Sequence, residues 1–135
     1  MTAKIMGRCM CGAVAYEAMR MSHRIDACHC EQCRRWSGHY WASVNARFSE
    51  LKFLKGEERV CWFESSELVR RGFCGACGST LFWHSHRHPD YGDLVGISAG
   101  SLDKPTGVEL SVHIFVAEKG DYYTLDDGLP QRPGH

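Results

Sequence analysis

The chain has 135 residues, enough for one domain with a buried core, and its 16 Lys and Arg balance its 16 Asp and Glu. That neutrality argues against a broad electrostatic footprint for nucleic acid or an anionic membrane. No apolar run approaches the ~20 residues of a membrane helix, and residues 1–8 lack a signal-peptide core. The expectation is a reducing, cytoplasmic setting, in which the eight cysteines are metal ligands rather than disulfides.

In chain order, residues 7–18 read as a turn followed by a short strand, with Ala13 and Ala15 on one face and Val14 and Tyr16 on the other. In an extended segment Cys9 and Cys11 would share a face and supply two corners of a tetrahedron. Residues 31–36 can make about a turn of helix that Gly38 ends. Residues 39–48 are aromatic and β-branched enough for a strand, and residues 51–55 lead to a turn at 56–58. Strands follow over 59–64, 68–73, 80–83, 94–102 and 108–116, and residues 126–135 read as a loop. No long amphipathic helix, repeat or linker interrupts this pattern, so the expected fold class is all-β.

Seven of the eight cysteines fall in three tight groups: Cys9 and Cys11; Cys28, Cys30 and Cys33; Cys74 and Cys77. Three thiols within six residues are too close for unrelated core cysteines and too many for one disulfide. A soft dication such as zinc collects them as thiolates. Seven ligands make one closed four-cysteine site and one three-cysteine site with an open corner, the mark of a reactive rather than a structural zinc. Glycine after Cys74 and after Cys77 lets the backbone wrap closely around a metal. A dithiol redox motif is the alternative there, but it needs a helix starting at the first cysteine, and strand-like residues 80–83 follow instead.

Thiolate-rich zinc makes bound water a poor acid, so hydrolysis is the less natural chemistry. A thiolate from a substrate is the better fourth ligand. Arg34 and Arg35, directly after Cys33, are placed to offset the resulting charge or to hold a substrate carboxylate. His29, between two ligands, reads as a structural or surface histidine rather than a proton shuttle, and His39 and His113 have no better claim. His84, His86 and His88 share a strand face, but Arg87 and Pro89 suggest an exposed strand end rather than a third metal site. Cys61 is the stray: if its strand passes the 28–33 cluster, it fills the open corner and both metals become structural. Arg70 and Arg71 are the local basic pair on which a nucleic-acid-binding reading would rest.

Several blocks carry a resemblance. They are Gly7-Arg8-Cys9-Met10-Cys11-Gly12-Ala13-Val14, Cys28-His29-Cys30-Glu31-Gln32-Cys33-Arg34-Arg35 and Phe73-Cys74-Gly75-Ala76-Cys77-Gly78. Gly100-Ser101-Leu102-Asp103, His113-Ile114-Phe115 and Asp127-Gly128-Leu129-Pro130-Gln131 add to them. In this order, over residues 7–131, they are similar to the glutathione-dependent formaldehyde-activating enzyme family, GFA, whose domain is shared with centromere protein V. The resemblance implies a single all-β domain over residues 1–135, of the complex β-tent type, with two zinc ions per chain. It implies that Cys9, Cys11, Cys74 and Cys77 hold the structural zinc, and that Cys28, Cys30 and Cys33 hold the second, with an exchangeable fourth position. The implied activity joins formaldehyde to glutathione as S-hydroxymethylglutathione, formally carbon–sulfur lyase chemistry. The alternatives are a glutathione carrier without catalysis, or a zinc-stapled binding module in which both metals are structural. One departure is Asp121-Tyr122-Tyr123, where relatives often place tryptophan.

Overall fold

Two open antiparallel-rich sheets enclose the core in a computed structural model that describes residues 3–135. The first two residues of the N-terminal stretch lie outside the described residues. Strands β1 (Lys4–Arg8), β2 (Ala15–Met19) and β5 (Lys52–Lys55) form the smaller sheet in the order β1-β2-β5. The larger sheet contains β3 (Arg24–Cys28), β4 (Trp41–Arg47), β6 (Val60–Glu64), β7 (Arg70–Cys74), β8 (Thr80–His84), β9 (Leu94–Ser98) and β10 (Glu109–Ile114). Its order is β10-β3-β4-β9-β8-β7-β6. Among the described residues the one α-helix, α1 (Glu31–Ser37), joins β3 to β4. No described helix is long and apolar enough to cross a membrane.

Period-two alternation decides which side chains enter the core. On β4, Val44 and Ala46 face inward, and on β9 Val95 and Ile97 do; all four are fully buried. From the small sheet, Ile5, Tyr16 and Ala18 close over them. The Tyr16 hydroxyl reaches the Ser101 hydroxyl, which satisfies a phenol that would otherwise be stranded in apolar surroundings.

The structure adds β1 and β3 to the expected strands, and the segment expected to lead into the turn at 56–58 forms the edge strand β5. β1 precedes the first cysteine group, so Cys9 to Ala13 is a turn between strands and not an extended segment. β3, Arg-Ile-Asp-Ala-Cys, is poor in strand-forming residues, yet it is interior, with β4 antiparallel on one side and β10 parallel on the other. Tertiary pairing overrides weak local propensity there. The expected strand over 94–102 stops at Ser98 and turns into a 3-10 segment, Ala99–Ser101.

Candidate metal centres and the cavity beside them

Cys9 ends β1 in a turn closed by its own N–H to the Val14 carbonyl at 3.0 Å. Gly12, at φ 80°, supplies the left-handed residue that the turn needs. The second knuckle follows β7: Cys74 N–H bonds the Ser79 carbonyl at 3.0 Å, and Gly78 N–H bonds the Cys74 carbonyl at 2.8 Å. Met10 N–H to Ser79 Oγ, 2.9 Å, ties the two turns together. The sulfurs of Cys9, Cys11, Cys74 and Cys77 all lie within 4.8 Å of one another. The Cys9–Cys11 and Cys11–Cys74 separations are 3.7 and 4.0 Å. A tetrahedron with zinc–sulfur bonds of about 2.3 Å has an edge of about 3.8 Å, so the sulfur set fits such an ion.

Backbone N–H groups are directed at two of these sulfurs. Val14 N–H points at Cys9 Sγ (3.3 Å) and Ala76 N–H at Cys74 Sγ (3.4 Å). The Ser79 hydroxyl and N–H bring Cys77 down to about 5. Cys11 shows the opposite: the Ala13 N–H favours its thiolate, but burial and the competing thiols of Cys9, Cys77 and Cys74 push it up to about 11. A cluster that readily accepts some thiolates and resists the next one is what a cation must resolve.

The second group sits where β3 enters α1. Cys28 ends the strand. Cys30 is the helix N-cap, its sulfur accepting from Cys33 N–H at 3.3 Å. Cys33, in the first turn, is buried. Gly38, at φ 92°, ends the helix by giving its N–H to the Arg34 carbonyl. The three sulfurs lie within 4.8 Å of one another, which fits three corners of a thiolate metal site. Hydrogen bonds from the thiols of Cys28 and Cys33 take Cys30 down to about 2, while competition from Cys30 and Cys33, and then burial, push Cys28 far up. The trio therefore holds one negative charge easily and its further charges only with a cation's help.

Arg71 supplies the fixed positive charge. It is 4% exposed and projects from β7. Nη1 donates to Cys33 Sγ at 3.5 Å, Nη2 to Gln32 Oε1 at 3.3 Å and Nε to Ser65 Oγ at 3.2 Å. Its guanidinium also lies 5.2 Å from the Trp36 ring. Adjacency to Cys33 in sequence points to Arg34 and Arg35 for this charge. The structure directs Arg34 Nε to the His29 carbonyl at 3.3 Å, and pairs exposed Arg35 with Glu31 at 3.6 Å. Neither lines the cavity next to the cysteines. Arg70 packs over Trp62 at 3.9 Å and bonds His84, so Arg70 and Arg71 do not form an exposed basic patch. No feature of the sequence marked Arg71, because alternation places it on a face without saying what that face meets.

That face of the large sheet, opposite the core, floors a cavity of about 470 Å³. Cys28, Cys30 and Cys33 form one end of its lining, with Arg71 beside them. β3 contributes Asp26, and β4 contributes Trp41, Ser43 and Asn45. Trp83 and Gly96, cross-strand partners on β8 and β9, lie between β4 and Arg71. Phe115 turns the chain out of β10 in a left-handed conformation, φ 54°, that a bulky residue rarely adopts. This turn carries Glu118 back to accept Glu31 N–H at 3.2 Å, over the start of α1.

Cys61 is exposed on the edge strand β6, paired with Phe73, and belongs to neither sulfur group. It does not fill the open corner. His84 stacks on Phe48 at 4.0 Å and bonds Arg70 and the Gly92 carbonyl. His86 approaches Glu64, and His88 accepts two backbone N–H groups, so the three histidines form no cluster.

His29 is fully buried, which settles its structural over its surface reading. Nδ1 meets the Tyr123 hydroxyl at 2.7 Å and Nε2 meets His113 Nδ1 at 2.8 Å. His113 Nε2 in turn meets Asp127 Oδ2 at 2.8 Å. Asp127 is held low by that bond and by Leu129 N–H, so its carboxylate accepts from His113 Nε2–H. His113 Nδ1 then accepts from His29 Nε2–H, and His29 Nδ1 from the Tyr123 hydroxyl. Burial above all keeps His29 neutral, bringing its pKa down to about 4. The chain locks the Cys28–Cys30 link to the C-terminal segment. The Tyr123 hydroxyl makes the outer bond of this chain.

Comparison with known proteins agrees with this architecture. The family model described as glutathione-dependent formaldehyde-activating enzyme matches residues 4–118. An uncharacterised lyase of Schizosaccharomyces pombe is 30% identical over 77 residues, 57% of this chain and 55% of that protein. The match thus spans about half the length of that curated relative. A crystal structure of a Rhodobacter sphaeroides protein superposes with a TM-score of 0.60 at 22% identity, over 94% of this chain and 98% of that one, a likeness of fold. With the family model covering most of the chain, and two cysteine clusters able to hold metal, the protein is a member of the glutathione-dependent formaldehyde-activating enzyme family.

Proposed function

We propose that the protein is a zinc-dependent carbon–sulfur lyase-type enzyme that binds a small thiol, glutathione in the first instance, and forms or cleaves its formaldehyde adduct. The observation that carries this reading is the grouping of only three sulfurs, those of Cys28, Cys30 and Cys33, at the end of a cavity. Cys9, Cys11, Cys74 and Cys77 would hold the first zinc as a closed structural set. Cys28, Cys30 and Cys33 would hold the second.

Bound there, zinc supplies a lowered pKa to a thiol that joins it, so that the thiolate is present at neutral pH. The chain's own residues do the rest. Arg71 offsets the negative charge that accumulates when a further thiolate joins three others. The cavity has room for the thiol's remaining atoms and for an aldehyde. In the forward direction the thiol gives up its proton, the sulfur lone pair forms the C–S bond as the carbonyl π pair moves to oxygen, and that oxygen takes up the proton the thiol released. The reverse breaks the C–S bond and returns the aldehyde.

The deciding experiment titrates the two-zinc or cobalt-substituted protein with glutathione, followed by metal-edge absorption or the cobalt spectrum. A change from three to four sulfur ligands at the second site is expected. An unchanged spectrum at millimolar glutathione would overturn the reading and leave both metals structural. Faster adduct formation than in buffer separates an enzyme from a carrier.

A further inference from the structure

The charged groups around the cavity are already engaged within the chain. Asp26 is paired with Arg24 at 2.9 and 3.4 Å, and Glu31 with Arg35 at 3.6 Å. Glu118 accepts Glu31 N–H, and Arg71 is held by Cys33, Gln32 and Ser65. What faces a ligand beyond the cysteines is largely apolar, with half-buried Val69, Trp83 and Leu94 foremost.

Gly96 sits in the middle of that surface. It lies inside β9 with Asn45 of β4 as one cross-strand partner and Trp83 of β8 as the other, and neither pairing has a bulge there. Its φ is not left-handed. A Cβ at this position would stand 3.4 Å from Ser43 Oγ and 3.5 Å from Trp41 Cζ3, ordinary contact distances. Neither the backbone nor crowding therefore requires glycine, although glycine weakens a strand interior. Its effect is to leave a slot open between the Trp83 indole on one side and the Trp41 edge and Ser43 on the other. A strand glycine without a bulge marks a place of close approach, and on a cavity face the approaching group is a ligand.

We infer that this slot takes a flat apolar group, an aromatic ring above all, carried by the aldehyde that adds to the thiol held at Cys28, Cys30 and Cys33. Only β4 separates the strand of Cys28 from β9, a span of about 10 Å, so the ring stands a short linker away from the sulfur. It would lie over Gly96 against Trp83, offset or edge to face, as aromatic pairs prefer. The addition balances as it does for formaldehyde: the C–S bond forms, the carbonyl becomes a hydroxyl, and the thiol's proton goes to that oxygen. Formaldehyde has no substituent and leaves the slot empty, while a charged aldehyde meets side chains whose charges are already paired. This rests on the thiol-binding reading above and names the class of aldehyde that the cavity favours.

The test uses the cobalt-substituted full chain and two thiols, 2-phenylethanethiol and 2-mercaptoethanol. The first reproduces the sulfur–carbon–carbon–ring skeleton of a phenylacetaldehyde adduct, and the second has a hydroxyl in place of the ring. Apparent affinities are read from the cobalt spectrum, each normalised to the free thiol's own pKa. The ringed thiol should bind about tenfold or more tightly, as burial of an aromatic ring permits. Gly96→Val, which fills the slot, should bring the two affinities close to equality. Gly96→Ala, whose Cβ fits without displacing its neighbours, should lower the ratio part of the way and keeps the test open if the valine variant does not fold. Equal affinities in the unaltered chain, or a ratio indifferent to both substitutions, overturn the slot while the thiol reading stands. With glutathione as the thiol, acceleration over buffer should be greater for phenylacetaldehyde than for acetaldehyde, and absence of that preference overturns the assignment of the ring to the aldehyde. A spectrum that no thiol changes overturns both readings.

Discussion

Arg71 Nη1 donates to Cys33 Sγ at 3.5 Å, across a sequence separation of 38 residues. The guanidinium is buried and two further N–H groups are held by Gln32 and Ser65, which fixes its charge beside the cysteines. Replacing it should weaken metal binding at the three-cysteine group about 10–100-fold, the usual effect of removing an outer-shell partner. Arg71→Met keeps comparable bulk without charge and should show the full loss. Arg71→Lys should recover little, because an ammonium lacks the fork that reaches three acceptors. Competition with a chromophoric chelator measures this, with the four-cysteine site as internal control.

The two metal groups differ in what encloses them, and they should part from their ions in order. Cys9 and Cys74 are core residues that join turns from different sheets. The three-cysteine group draws on one short segment. A chelator should therefore empty the Cys28, Cys30 and Cys33 group first. Cys74→Ser should lower the thermal midpoint by more than about 5 °C, and Cys30→Ser by much less. Simultaneous release of both ions would contradict the assignment.

His113 joins His29 to Asp127 inside the protein, and a substitution there leaves a buried nitrogen stranded. His113→Phe keeps most of the packing but deprives His29 Nε2 of its partner, at a cost of about 1–3 kcal/mol. Urea denaturation gives the size. Hydrogen exchange should show earlier opening at Arg132 N–H, which bonds the His113 carbonyl, and little change in β8 and β9.

His84 gives the pH dependence its sign. Burial first, and the nearby Arg70 and His86 charges, hold its pKa below the ordinary imidazole value. Its Nδ1 accepts from Arg70 Nε, which is possible only while that nitrogen is unprotonated. The unfolded chain binds this proton more readily than the folded one. Its contribution is therefore complete above the unfolded value of about 6.5 and is lost as pH falls below it. Imidazole NMR should show His84 taking up its proton at a lower pH than a free imidazole does. Protonation of His84 at or above the free-imidazole value would count against the buried, neutral form.

Much of the outline was legible from local order. The glycine after helix α1, the two-residue cysteine spacings and the alternation in β4 and β9 are short-range rules, and the structure obeys them. β3 escaped because Arg24 and Asp26 lower its strand propensity, while its stability comes from neighbours β10 and β4. The choice of Arg34 and Arg35 as charge partners followed adjacency in sequence. Helical geometry instead turns them to the His29 carbonyl and to Glu31.

What the amino-acid order determined by itself was which sulfurs can share an ion: ligands two or three residues apart are held together by the covalent chain, whatever the rest does. The tertiary structure alone decided which charge meets Cys33, which wall faces the cysteines and how His29 is buried. Period-two alternation says that Asp26 and Cys28 share a face. Whether that face meets core or cavity, and which strand lies beside it, depends on pairing between segments far apart in sequence. Arg71 and His113 owe their roles to that pairing.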